Sequence, residues 1–109
     1  MTNQKIKDGN YDNSLAVKCS NGTFVGQKTE NIISYKGIPF VAEQPVGNLR
    51  WKAPVSFAPD EGVYEAFHFA KLAVQDKSIS DNQGEDCLYL NVWKSDDDST
   101  EKKPVMVWV

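Results

Sequence analysis

The sequence predicts an α/β protein read through a β-rich stretch: an antiparallel meander, then strands of a sheet covered on both faces. Three observations carry this reading. Asn21-Gly22, a pair favoured in two-residue hairpin turns because both residues tolerate positive φ, lies between two strand-like runs. Val105-Met106-Val107-Trp108-Val109 is continuously apolar, so both faces of that strand require burial. Such a sheet needs helices over it, yet no stretch of the chain shows sustained amphipathic helical periodicity. A buried strand without its covering helices is expected to belong to a larger protein.

The elements follow in order. Residues 1–14 are polar and read as a loosely held N-terminal arm. Leu15–Cys19 and Thr23–Gln27 form the first hairpin around Asn21-Gly22, and Glu30-Asn31 breaks the chain before a third strand over Ile32–Ile38. The meander therefore spans about residues 15–38. Residues 39–62 hold four prolines and two glycines, which dictates an extended irregular segment. Val63–Ala66 is a short strand candidate. Residues 67–75 fit neither period and read as a loop or one helical turn, and Asp76–Gly84 is a polar surface loop. Leu88–Trp93 is a strand by its apolar, aromatic and β-branched content. Ser95–Lys103 is a charged connector, and Pro104 opens the last strand.

A chain of 109 residues is one domain's worth at most. Twelve basic against fifteen acidic residues leave a net charge of −3, which argues against nucleic acid as a partner, since phosphate binding relies on a clustered basic surface. No apolar run approaches the roughly 20 residues that cross a bilayer, so no membrane is expected. Met1–Ser14 lacks the apolar stretch of a secretory signal. Two cysteines allow at most one bridge.

The chemistry-bearing residues form no complete active site. His68 is the single histidine, so a two-histidine metal site is excluded, and it reads as an ordinary, partly exposed side chain. Cys87 has no CxxC spacing and reads as a buried structural thiol. Asp96-Asp97-Asp98 lacks the Gly and downstream Glu of a calcium loop and reads as a solvated turn. Asn21-Gly22-Thr23 matches a glycosylation sequon, but the turn explains it without export. There is no glycine-rich phosphate loop and no G-x-S-x-G. No catalytic, cofactor-binding or metal-binding residue is expected within the chain.

Three ordered segments resemble the beginning of the type-B carboxylesterases, the cholinesterase-like branch of the α/β-hydrolase superfamily that includes para-nitrobenzyl esterase-like enzymes. Tyr35-Lys36-Gly37-Ile38-Pro39-Phe40-Val41-Ala42 with Pro45-Val46-Gly47-Asn48-Leu49-Arg50-Trp51 is similar to the family's F-x-G-I-P-Y-A-x-P-P-x-G-x-x-R-F stretch. Glu85–Trp93 matches the highly specific E-D-C-L-Y-L-N signature. Pro104–Val109 is similar to the strand that runs into the family's glycine-rich oxyanion loop. The resemblance covers residues 15–109, and it implies that the meander joins the first strands of a central mixed sheet.

That resemblance carries further expectations. The oxyanion loop, nucleophilic serine, acid and histidine of such enzymes come later in the sequence. The chain is then the N-terminal portion of a serine ester hydrolase that forms an acyl-enzyme on a small-molecule ester, needs no cofactor, and has the rest of the same polypeptide as its partner. In relatives the pair matching Arg50 and Glu85 forms a salt bridge that pins the Pro-rich segment. If substantially buried here, replacing Arg50 by Met is expected to cost roughly 1–4 kcal/mol. Relatives often bridge the cysteine matching Cys87 to one some fourteen residues earlier, where this chain has Ala73. The absent disulfide points to a bacterial cytoplasmic enzyme. Ser95 stands where relatives tend to carry Pro. Two rival readings share the same segment: a cholinesterase-like adhesion or scaffold domain that has lost its nucleophile, and a stand-alone β-rich module.

Overall fold

Six short strands build two three-stranded sheets in the computed structural model, which describes residues 2–76, 80–97 and 99–109. In chain order they are β1 (Ala16–Cys19), β2 (Gly22–Val25), β3 (Gln27–Thr29), β4 (Ile32–Pro39), β5 (Val63–Glu65) and β6 (Tyr89–Ser95). The first sheet has the order β1-β2-β5 and the second β3-β4-β6. Met1, Lys77-Ser78-Ile79 of the polar loop and Asp98 of the acidic run lie outside the described residues.

The first hairpin forms, with its loop one residue earlier than expected. Cys19 pairs with Gly22, so Ser20-Asn21 is the two-residue loop and Gly22 belongs to the ladder. The register is fixed from the other side of β2. Thr23 pairs with Val63 in a parallel ladder, its amide donates to the Gly62 carbonyl at 2.8 Å, and Phe24 is buried beneath.

The single meander expected over residues 15–38 is divided between the two sheets. Gly26 is the corner. A Cβ there would stand 2.6 Å from the Ser34 carbonyl oxygen and 2.8 Å from the Tyr35 ring, so the chain turns from β2 into β3 where no side chain fits. The β3–β4 hairpin then closes at Glu30-Asn31 as expected, Thr29 pairing with Ile32 and Glu30 taking φ 57°. β6 runs antiparallel to β4, and the register shifts between Tyr35 and Ile38, leaving a β-bulge at Lys36-Gly37.

Phe24, Ile33, Tyr35 and Ala66 form the core between the sheets, with Leu15, Ile38 and Tyr64 packed against it. Burying a side chain such as Phe24 or Ile33 contributes about 1.5–3 kcal/mol, so a core this small depends on the hydrogen bonds around it. Residues 40–62 are irregular apart from one 3-10 turn at Gly47–Leu49, in agreement with their prolines, while Pro39, expected in that segment, closes β4 opposite Tyr89.

Two expectations require correction. The arm read as loose is docked on β5: the Ile6 amide donates to the Val63 carbonyl at 2.8 Å, and the Glu65 amide to Gln4 at 2.9 Å. Its polar composition hid this, because backbone pairing needs no apolar side chain. Val105–Val109 is not a strand here. Its residues are 79–113% exposed, since a strand exists only through a pairing partner, and the other described residues offer it none.

Candidate functional site

The two segments richest in motif residues converge where β6 begins. Gln44, in the irregular segment, grips Leu88 with its carboxamide: Oε1 accepts the Leu88 amide at 2.9 Å, and Nε2 donates to the Leu88 carbonyl at 3.3 Å. The Phe40 amide donates to the same carbonyl at 3.2 Å. Leu88 is thereby paired without being in a strand, which explains why β6 starts one residue later than the composition suggests. Three residues further on, Asn91 Oδ1 accepts the Gly37 amide at 2.9 Å, filling the gap that the bulge opens between β4 and β6.

Arg50 and Glu85 come together on the rim of this region, Nη2 to Oε1 at 3.2 Å, with side chains 56% and 47% exposed. The guanidinium also lies 5.3 Å from the Trp51 ring centroid, so it is shared between a carboxylate and an aromatic face. Trp51 is 91% exposed and adopts φ 67°, an uncommon conformation for a bulky residue. The pair is a surface bridge, not a buried one.

Behind β6, a cleft of about 370 Å³ is lined by Phe24, Phe57, Asp60, Tyr64 and Tyr89 among others. The Tyr64 hydroxyl donates to Asp60 Oδ2 at 2.5 Å, and the Gly62 amide donates to Oδ1 at 2.7 Å. The Tyr64 hydroxyl first, and then the Gly62 amide, hold the Asp60 carboxyl below its ordinary value; the same bond raises the Tyr64 phenol above its own. Tyr89 is pushed up to about 12, chiefly by burial and then by its bond to Asp86 at 2.7 Å. These phenols stay protonated at neutral pH and act as donors that fix carboxylates.

His68 is partly exposed, as expected, with its ring edge-on to Phe67 at 6.3 Å between centroids. Cys19 is exposed and Cys87 only partly buried, and both are free thiols, so the buried thiol read at Cys87 is corrected. Among the described residues, no group of three or more His, Cys, Asp or Glu is placed to hold a metal ion. No helix among them is long and apolar enough to cross a membrane.

Sequence reasoning missed Gln44 and the Asp60–Tyr64 pair. Gln44 stands in an irregular run, where nothing local marks it as a strand surrogate. Asn91 was detectable, because it closes the E-D-C-L-Y-L-N signature and sits where an apolar residue would continue the strand.

Bulge, signature strand and Pro-rich segment together make up a β-rich part of an α/β-hydrolase fold. The carboxylesterase family profile matches residues 13–109, and the chain belongs to that family. Fumonisin B1 esterase of Sphingopyxis macrogoltabida is 33% identical over 84 residues, covering 72% of this chain and 15% of the relative. Para-nitrobenzyl esterase of Bacillus subtilis is 35% identical over 95 residues, covering 81% and 19%. The solved structure of a thermophilic PNB esterase superposes with a TM-score of 0.69 at 31% identity, over 77% of this chain and 19% of that one. The chain thus spans about a fifth or less of the relatives it matches.

Proposed function

We propose that the chain is the N-terminal segment of a serine carboxylic-ester hydrolase and contributes scaffold, not catalysis. The observation that carries this is the family match over residues 13–109, with its most specific residues, Glu85–Asn91, gripped by Gln44 and by the β4 bulge. The relatives named above are esterases, which supports a small carboxylic ester as substrate of the whole enzyme. Its nucleophile, acid and base would come from further polypeptide, attack of serine on the ester carbonyl giving an acyl-enzyme that water releases. Arg50 and Glu85 would tie the Pro-rich segment to the start of the signature and so wall the approach to the active site. A reducing, cytoplasmic setting in a bacterium is supported by the free Cys19 and Cys87 and by Ala73 in place of a bridging cysteine.

Fluorophosphonate labelling tests the proposal. The 109-residue chain alone should take up no label, whereas the chain expressed with its downstream continuation should be labelled on one serine beyond Val109 and hydrolyse a para-nitrophenyl ester. Labelling of Ser14, Ser20, Ser34 or another local serine would overturn the scaffold role. A continuation that folds but lacks a reactive serine would favour the adhesion-domain reading instead.

A further inference from the structure

Beside the direct bond from the Lys36 amide to the Ala66 carbonyl at 2.9 Å, the two sheets are tied by a residue that belongs to neither. Asn3, near the start of the docked arm, makes four hydrogen bonds with its carboxamide. Oδ1 accepts the amides of Phe67 and His68, each at 2.8 Å, and Nδ2 donates to the carbonyls of Lys36 at 2.8 Å and His68 at 3.2 Å. Lys36 lies in β4 of the second sheet, whereas Phe67-His68 follows directly from β5 of the first. The one amide thus occupies all its usual hydrogen-bonding capacity in bridging the sheets.

The surroundings are shaped for it. Gly37 takes φ 74°, and a Cβ there would stand 2.7 Å from Asn3 Nδ2 and 2.5 Å from the His68 carbonyl oxygen. The bulge is therefore held between two asparagines, Asn3 on the arm side and Asn91 on the β6 side. The arm is itself latched to β5 through the Ile6 and Glu65 amides, and the Gln4 amide donates to Glu65 Oε1 at 2.9 Å.

We propose that the N-terminal arm is a strap: residues 3–6 bind β5, and Asn3 locks the β4 bulge to the Phe67-His68 turn, so that arm release loosens this junction as one cooperative event and leaves the sheets joined through the core and the Lys36–Ala66 backbone bond. Each sheet keeps its own pairing when the strap opens, because the β1–β2 and β3–β4 hairpins do not involve the arm. The strap controls the relative placement of the bulge and signature strand, on which Gln44 and Asn91 converge. This inference stands on hydrogen-bond geometry and is independent of any catalytic reading.

Residue-resolved hydrogen exchange on the folded chain tests it. In the unmodified chain, the amides of Ile6, Glu65, Phe67 and His68 should exchange through one shared opening, at lower free energy than those of Thr23 and Gly26. Asn3→Ala should speed exchange at Phe67 and His68 by about tenfold or more while Thr23 and Gly26 are unmoved, as expected when buried amides lose their acceptor. Asn3→Asp should protect Phe67 and His68 nearly as well, since a carboxylate still accepts, yet loosen Lys36, whose carbonyl loses its donor. Four amides opening independently in the unmodified chain would overturn the strap, and that result does not depend on any variant folding. So would an Asn3→Ala variant with unchanged exchange, or one with a uniform rise across the chain.

Discussion

Gln44 and Leu88 satisfy one another in both directions, a side-chain carboxamide standing in for the neighbouring strand that Leu88 lacks. Both residues are partly buried. Truncation leaves the Leu88 amide without its acceptor, while the Phe40 amide still serves the carbonyl, so Gln44→Ala should destabilise the chain by about 1–3 kcal/mol in urea unfolding. Gln44→Glu retains the acceptor and should lose less at neutral pH. Equal stability of all three proteins would show that water replaces the carboxamide without loss.

The Arg50–Glu85 bridge is half exposed on both sides, which sets its magnitude well below that of a buried pair. A double-mutant cycle with Arg50→Met and Glu85→Gln should return a coupling of about 0.2–1 kcal/mol, shrinking as salt is added. A coupling above about 3 kcal/mol would mean that the pair is desolvated in solution.

Alkaline stability should depend on Tyr89. Its folded phenol is held up to about 12, above the ordinary 10.0, so the unfolded chain releases that proton first. The contribution is therefore complete below pH 10.0 and is lost as pH rises through about 12. Tyr89→Phe should flatten the loss of stability over that interval, followed by chemical denaturation at a series of pH values. An unchanged slope would assign the alkaline transition to other groups, such as Tyr64, which Asp60 also holds protonated.

Thiol titration of the denatured chain without reductant should count two free thiols, Cys19 and Cys87. In the folded state Cys19, exposed at the end of β1, should react first and the half-sheltered Cys87 more slowly. A bridged product from freshly purified material would contradict the geometry.

Much of the fold was legible because strand composition and turn chemistry are local. The β3–β4 hairpin closed at Glu30-Asn31, and the strand over the signature lies within a residue or two of Leu88–Trp93. What escaped was non-local. The corner at Gly26 is dictated by Ser34 and Tyr35, the ladder position of Gly22 by β5, and the docking of the arm by backbone groups that any sequence carries. The same distinction holds for the site. Arg50 and Glu85 were found through motif positions, whereas Gln44 acts through a carboxamide whose partner lies 44 residues away, and Asn3 through one whose partners lie 33 to 65 residues away.

The parallel pairing of β2 with β5 has a kinetic consequence. The connection between them, residues 26–62, contains the whole β3–β4 hairpin and the Pro-rich segment. Two short hairpins, β1–β2 and β3–β4, can close in about 1–10 μs because their strands are adjacent in sequence. The β2–β5 ladder must wait for a long and partly stiff loop to come round, and its three residue pairs return little until the closure is complete. Refolding should therefore be limited by that closure, with the hairpins formed early and the arm arriving last, since β5 must be in place before Ile6 and Gln4 have anything to bind.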